Sequence, residues 1–471
     1  MTERLATVTT VVDSRPALVE QWVATELGNS SYVVVDRNSG DAAVIDPLCD
    51  VDRYLAAARA SGWRVAASLD THVHNDFVSG GPTLRAATGC VFAVPDSSGI
   101  AGVDRTLRGG DELAVGSMSL RAIHSPGHTP EHLSYLLVDA DGTPLALFSG
   151  GALMVGTMAR PDLLGPSWTY ALSRMGRETL QQLLTLPDAL SVLPTHGGGS
   201  FCGSATSNAR VTTVGAERRD NPLAQARDLA HFLAIHAKQG RYPAYYARMA
   251  PINRAAEPGA AAVTTSQLSV AAFDDAVAGG AIAVDCRAYA DFDAAHVPGS
   301  LNVPGDGPFS AWVGWVVDIG TPVALVAASE PAAEEATRQL RRIGFHDLRG
   351  WLDAHDWIAD GRATATVVRC TMGDLAERIL DGEHVTVIDV RQENEWAQGH
   401  LPGAVHALAP DLPGIAARLD RREPVAVHCA TGYRSALGVS MLLREGIDDV
   451  WHVSEGVEAW SALGYPLVTS A

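Results

Sequence analysis

Positive charge is what this 471-residue chain has least of: 35 lysines and arginines stand against 54 aspartates and glutamates, a formal net charge of −19. Nucleic acids and anionic membrane surfaces both select basic faces, so neither is expected as a partner. Long apolar runs are missing as well. A membrane span needs about 18 apolar residues in a row, and the stretch Trp312–Val317 is cut short by Asp318. The six cysteines (Cys49, Cys90, Cys202, Cys286, Cys370 and Cys429) form no Cys-x-x-Cys pair and no framework spacing. That excludes a disulfide scaffold and fits a reducing compartment, so a cytoplasmic location is expected. The opening stretch Met1–Ser14 mixes Glu3, Arg4 and Asp13 with threonines and has no apolar centre, so it does not read as a signal peptide.

What the chain does have is 47% hydrophobic residues and a length that suggests about three domains. Its organising stretch is Thr71-His72-Val73-His74-Asn75-Asp76, which follows an apolar run, Val65–Leu69, that reads as a buried strand. Histidines at i and i+2 point to opposite faces of a strand. They converge on one ion only where the chain has left it, and Asn75-Asp76 and Gly80-Gly81 supply the departure. His128 lies on a turn shaped by Pro126, Gly127 and Pro130, and His196 on the glycine-rich run Thr195–Gly199. Around them Tyr32–Val35 and Ala42–Ile45 predict a hairpin closed by Asp46-Pro47, and Asp52–Ala60 a helix. Ser117–Ile123, His132–Val138 and Leu145–Phe148 predict strands of a second half. Leu223–His236 has helical periodicity, which Pro243–Tyr246 and Pro251 are expected to break.

These loops together resemble the metallo-β-lactamase superfamily. Within it, Thr71–Gly80 with Ser200-Phe201-Cys202 is similar to the persulfide dioxygenase branch, in the form fused to rhodanese domains. The resemblance implies an αββα sandwich and a single Fe(II) held by His72, His128 and an aspartate after a Phe-Ser-Gly phrase. Here the phrase is Phe148-Ser149-Gly150-Gly151, and Gly151 carries no ligand atom. The ion is therefore expected to be weakly bound or absent, with zinc the alternative metal. Asp76 and Asp162 are the candidate substitutes, and an aspartate placed at 151 is expected to return the carboxylate. His74, Asp76 and His196 otherwise stand behind the ligands or against the substrate. Cys202 is open between a persulfide relay and a buried structural thiol. Thioester hydrolases of the glyoxalase II type carry a histidine where Phe77 stands, which disfavours a two-zinc hydrolase.

Ala255–Ala261 is a linker by composition, and beyond it the sequence repeats itself. Asp285-Cys286-Arg287 with His296-Val297-Pro298-Gly299 recurs as Asp389-Val390-Arg391 with His400-Leu401-Pro402-Gly403, at a constant offset of 104 residues. Both copies resemble rhodanese domains. In the second, the apolar run Pro424–His428 leads into Cys429-Ala430-Thr431-Gly432-Tyr433-Arg434-Ser435, followed by a helical pattern over Ala436–Arg444. A cysteine facing a helix N-terminus meets inward-pointing N–H groups and a positive dipole end. The resemblance makes Cys429 the nucleophile and Arg434 the anion binder, with Gly432 and Ser435 lining the substrate. The first copy has Ala327 and Ala332 at the two key positions and is read as inactive: a spacer, a docking surface or a dimer element, so that a homo-oligomer stays open.

The expected architecture is thus an α/β multidomain chain: an αββα sandwich over 1–254, extended from about 205, then rhodanese-like domains over 255–362 and 363–471. The expected function is a sulfurtransferase acting through Cys429, joined to a persulfide dioxygenase-like metal domain. Its small-molecule partners are a persulfide such as glutathione persulfide, thiosulfate or sulfite. A zinc-dependent glutathione thioester hydrolase is the alternative enzyme, and a non-catalytic persulfide sensor or scaffold the alternative of another class.

Overall fold

The computed structural model describes residues 7–203, 207–236 and 240–469. The first six residues of the N-terminal stretch and the expected start of the extension near residue 205 lie outside them. The chain divides into two compact units, residues 1–263 and 264–471 apart from residues 341–344, which group with the first.

In the first unit the strands Thr7–Asp13, Ala17–Ala24, Asn29–Asp36, Asp41–Ile45, Arg64–Leu69, Val91–Pro95 and Arg105–Leu107 form one sheet in chain order. The first four are antiparallel, joined by short turns. From Asp41–Ile45 onward the pairing is parallel, and the helices Asp52–Ser61 and Gly81–Thr88 provide the longer crossovers that parallel pairing needs. A second sheet runs in chain order from Glu112–Val115 through Met118–His124, Leu133–Val138, Pro144–Gly150 and Ser191–Pro194 to Thr212–Thr213.

The two sheets share a core in which Val19, Tyr32, Val34, Ile45 and Leu69 meet Leu120, Tyr135, Leu137, Phe148 and Leu193. The residues between them in sequence face outward onto helices. Val33, Val35 and Val44 lie under Tyr54 and Ala58, while Leu136, Leu147 and Val192 lie with Leu180, Leu183 and Phe232. With both faces covered, Asn29–Asp36 and Leu133–Val138 are buried along their whole length. This is the expected αββα sandwich. The helix expected over Leu223–His236 spans only Leu229–His236, because the Asp228 carboxylate accepts from the His231 N–H and starts the helix there. Pro251 does not break the chain's helicity either; it lies inside the helix Tyr246–Ala255.

The second unit holds two parallel sheets of one topology. One is ordered Leu301–Asn302, Ile282–Asp285, Val323–Ala327, Leu348–Asp353. The other is ordered Val405–His406, Thr386–Asp389, Val425–His428, Val450–Val453, with Val368–Cys370 added at its edge. The repeat in sequence is a repeat in space, down to its polar detail. Arg287 grips both carboxylate oxygens of Asp285 and the Ala295 carbonyl, and Arg391 does the same with Asp389 and the Gly399 carbonyl. Among the described residues no helix is long and apolar enough to cross a membrane.

Candidate metal centre and sulfur-carrying loop

Strand Arg64–Leu69 ends two residues before Thr71, so His72 and His74 belong to a loop beyond the sheet edge. The turn carrying His128 lies between strands Met118–His124 and Leu133–Val138, and His196 follows strand Ser191–Pro194. The sandwich brings the three to one place. One ring nitrogen each from His72, His128 and His196 falls within 4.8 Å of the others, and all three rings are buried.

The hydrogen bonds decide which nitrogens these are. Thr71 Oγ1 donates to Asp46 at 2.9 Å and is left to accept from His72 Nδ1 at 2.8 Å. His128 Nδ1 donates to the Arg160 carbonyl at 2.7 Å, and His196 Nδ1 faces Asn29 Oδ1 at 3.2 Å and Asp76 Oδ2 at 3.3 Å. Each Nδ1 therefore carries the proton, and each Nε2 offers a lone pair. The Nε2 atoms of His72 and His196 lie 3.4 Å apart, and that of His128 has no protein partner. Burial and then the surrounding imidazoles hold His72 well below the usual imidazole range. Burial and then His196 bring His128 down to about 3. Three buried lone pairs aimed at one another fit a single divalent cation, each ligand oriented by a bond to its other nitrogen.

The other groups of the sequence motif lie beside this set, and His74, Asp76 and His196 also bring ligand atoms within 4.8 Å of one another. His74 pairs with Asp46 at 3.1 Å; burial opposes its charge most, but Asp46, Asp70 and Asp76 together overcome it and raise it to about 8. Asp76 accepts from Asn29 at 2.7 Å and keeps Oδ1 unpartnered. Asp162 is held by both Nε and one terminal nitrogen of Arg160, at 2.6 and 2.8 Å. Phe77 is fully buried with its ring stacked on His74 at 4.1 Å, so no second ion can be ligated from that position. Cys202 is buried beside the Tyr246 hydroxyl at 3.8 Å, and burial pushes its thiol well above the ordinary range.

Gly151 donates its N–H to His132 Nε2 at 2.9 Å. A Cβ there would come within 2.9 Å of both His128 Cδ2 and Ala159 Cβ, so any side chain at 151 presses on the His128 ring and on Ala159. Its neighbour Gly150 is the one that only glycine fits. At φ +56 an added Cβ would fall 2.4 Å from His132 Nε2.

Sequence reasoning missed the frame behind these ligands. Asp46, at φ 50, takes bonds from the Thr71 N–H and hydroxyl, His74 and the Thr195 hydroxyl, tying the His72 loop and the His196 loop to one carboxylate. Glu131 accepts from the Val73 N–H at 3.0 Å. Asn253 donates to the carbonyls of His74 and Phe77, both at 2.8 Å, and accepts from the Ser79 N–H. An Asp-Pro pair directly after the apolar run Ala42–Ile45 was the one signal in this set that a sequence could carry.

In the second unit Cys429 follows the buried strand Val425–His428. Gly432, at φ +87, turns the chain into the helix Tyr433–Arg444. The thiol is fully buried with Ser435 Oγ 3.6 Å away. Arg434 reaches Glu395 with both terminal nitrogens, at 2.5 and 2.8 Å, and so presents a fixed guanidinium at the loop. In the first copy Ala327 ends the equivalent strand and Ala332 lies on the helix Glu330–Arg342, with neither thiol nor cation. Cys286 is buried against the Val326 carbonyl, and burial raises its thiol to about 12.

A family model of the metallo-beta-lactamase superfamily matches residues 24–196, and one of the rhodanese-like domain matches 269–353 and again 371–463. The hydroxyacylglutathione hydrolase of Methylococcus capsulatus is 33% identical over 219 residues, which cover 44% of this chain and 81% of that protein. That of Rhodospirillum rubrum is 32% identical over 188 residues, 39% of this chain; the chain spans 65% of that relative's length. A solved metallo-beta-lactamase from Staphylococcus aureus subsp. aureus COL is 26% identical with a TM-score of 0.66, covering 72% of this chain and 100% of its own. The histidine loops and the duplicated Asp-x-Arg grip thus have one origin each: the N-terminal part of the chain belongs to the metallo-β-lactamase superfamily, and its C-terminal part consists of two rhodanese-like domains.

Proposed function

We propose that the chain is a persulfide-handling sulfurtransferase whose nucleophile is Cys429. The observation that carries this reading is the placement of that thiol. It sits at the end of a buried strand, facing the start of helix Tyr433–Arg444, with Ser435 and the Arg434 guanidinium at the same loop. The Cys429 thiolate attacks the outer sulfur of thiosulfate or of a low-molecular-weight persulfide. A Cys429 S–S bond forms, the donor's S–S bond breaks, and its electron pair leaves with sulfite or the thiolate. An acceptor nucleophile, a thiolate or sulfite, then takes the outer sulfur, and the electron pair of that bond returns to Cys429. Sulfite as acceptor yields thiosulfate. Mass spectrometry after treatment with thiosulfate should find one added sulfur on Cys429, and Cys429→Ser should abolish transfer without loss of fold. Sulfur carried by Cys202 or Cys286, with turnover in the serine variant, sinks the assignment.

A second reading concerns the first unit, and the three converging lone pairs favour it. His72, His128 and His196 would hold one divalent ion, and an all-imidazole set without a carboxylate suits zinc better than the two-histidine, one-carboxylate set of iron oxygenases. Bound there, zinc supplies a Lewis acid for a carbonyl oxygen. A glutathione thioester is then the substrate class, in line with the named activity of the relatives. Elemental analysis of protein purified without added metal should find zinc, with thioester cleavage. Iron together with oxygen uptake on glutathione persulfide overturns this reading in favour of a persulfide dioxygenase.

A further inference from the structure

The first rhodanese copy has no nucleophile, yet it reaches the loop that has one. Its helix Tyr289–Ala294 sets the Tyr289 ring edge-on to the His452 ring, with centroids 5.0 Å apart. The same helix aims Asp293 Oδ2 at His452 Nδ1, 2.9 Å away. The Pro304 carbonyl accepts from the Tyr433 hydroxyl at 2.8 Å. His452 stands on the strand Val450–Val453 beside the loop. Its Nε2 lies 2.9 Å from the Gly432 carbonyl and 3.0 Å from Ser435 Oγ, and Ser435 Oγ lies 3.6 Å from Cys429 Sγ. Asp293, His452, Ser435 and Cys429 are all buried.

The bonding roles follow from which groups can donate. An ionised carboxylate only accepts, so His452 Nδ1 carries a proton. A carbonyl oxygen only accepts, so with Asp293 engaging Nδ1 it is Nε2 that is set to donate to Gly432 O. With Nε2–H directed at Gly432 O and Ser435 Oγ, the serine keeps its own proton to give away. Its available acceptors are the Val453 carbonyl at 3.4 Å and the Cys429 sulfur. When the sulfur is negative it is the stronger acceptor. Arg434, held by Glu395 through both terminal nitrogens, brings its charge to the same sulfur, so the serine supplies a proton beside a fixed cation.

We infer that Asp293 of the first copy is a positioning residue for sulfur transfer at Cys429, acting through His452 and Ser435. Without its carboxylate, His452 loses the partner that keeps both ring nitrogens donating. Nε2 can then become an acceptor and turn the Ser435 hydroxyl away from the sulfur. The step most affected is the second half-reaction, in which the outer S–S bond breaks and its electron pair returns to Cys429 Sγ, where the serine hydroxyl meets it. No oxidant or reductant is needed. The sequence-inactive copy is thereby part of the working site, while the nucleophile stays in the other.

This inference rests on the reading of Cys429 as the sulfur carrier, so the test begins there, on the full chain with thiosulfate as donor and cyanide as acceptor. Failure of unmodified Cys429 to take up sulfur overturns that reading, and this inference with it. Given loading, Asp293→Asn should lower kcat by about 10- to 100-fold, with KM for thiosulfate changed less than about twofold and the Cys429 persulfide longer-lived. Ser435→Ala should give a similar loss, and the double variant no further one. Wild-type kcat in Asp293→Asn, a loss confined to KM, or fully multiplicative losses in the double variant overturns the inference. Should Asp293→Asn fold poorly, Ser435→Ala carries the decision by itself: wild-type kcat there overturns it.

Discussion

Three imidazoles whose lone pairs share one small buried volume gain when a cation arrives. His196 is as much a part of that set as the pair His72 and His128 suggested by the motif, since its Nε2 lies 3.4 Å from that of His72. His72→Ala, His128→Ala and His196→Ala should each lower the affinity for zinc by at least about tenfold, whereas Asp162→Ala, which removes only a partner of Arg160, should leave it unchanged. Equilibrium dialysis of the four variants decides this; a fall in the Asp162 variant alone would return the carboxylate to the ligand set. Gly151 gives a second expectation at this scale, and it runs against the sequence-level idea that an aspartate there refills the site. The backbone at 151 is not left-handed; the obstacle is the His128 ring, 2.9 Å from where a Cβ would stand. Gly151→Asp should therefore displace a ligand, cost about 1–3 kcal/mol of stability as overpacking does, and bind metal no more tightly than the unmodified chain. Denaturant unfolding and iron titration under anaerobic conditions check both halves, and tighter binding without loss of stability refutes the account.

At the scale of elements, the hairpin Asn29–Ile45, the helix Asp52–Ser61 and the strands around His128 were legible because apolar residues recur there at the period of their element. The two rhodanese-like copies were legible from their own repetition. The stretch after His196 was not. Its helix Tyr246–Ala255 contains Pro251, which local rules count as a stop, and is held by contacts to residues far away in sequence. Asn253 supplies the clearest of these, with two donated bonds and one accepted bond on the loop of His74, Phe77 and Ser79. Such a bond set leaves no periodic trace, which is also why the roles of Asn29 and Thr71 in orienting His196 and His72 could not be read from the sequence. Asn253→Ala leaves two buried carbonyls and one N–H unpaired, and should destabilise the chain by about 2–4 kcal/mol. Zinc affinity should fall with it, because the loop delivering His72 loses its anchor. A variant with unchanged unfolding midpoint and metal content would show that the loop stands without the helix.

For the molecule as a whole, the two chemistries fall in separate compact units, the imidazole set before residue 263 and Cys429 after residue 264. Each has its own core: the apolar cluster of Tyr32, Tyr135 and Phe148 lies between the sheets of the first unit, and that of Met372, Leu375 and Trp451 in the second. Among the described residues, the bonds orienting the metal-type ligands come from Asn29, Thr71, Asp76 and Arg160, all in the first unit, and those reaching Cys429 through Ser435 come from His452 and Asp293, in the second. Mutations at one centre should therefore leave the other as it was, as expected for sites with no shared partners. Cys429→Ser should remove thiosulfate-dependent transfer while metal content stays within error of the unmodified chain. His128→Ala should empty the metal centre while kcat/KM for transfer to cyanide stays within about twofold. The measurement that matters is both quantities on both variants. A single substitution that abolishes transfer and metal binding together, in a chain that still unfolds at the unmodified temperature, would show that the two centres act as one and not side by side.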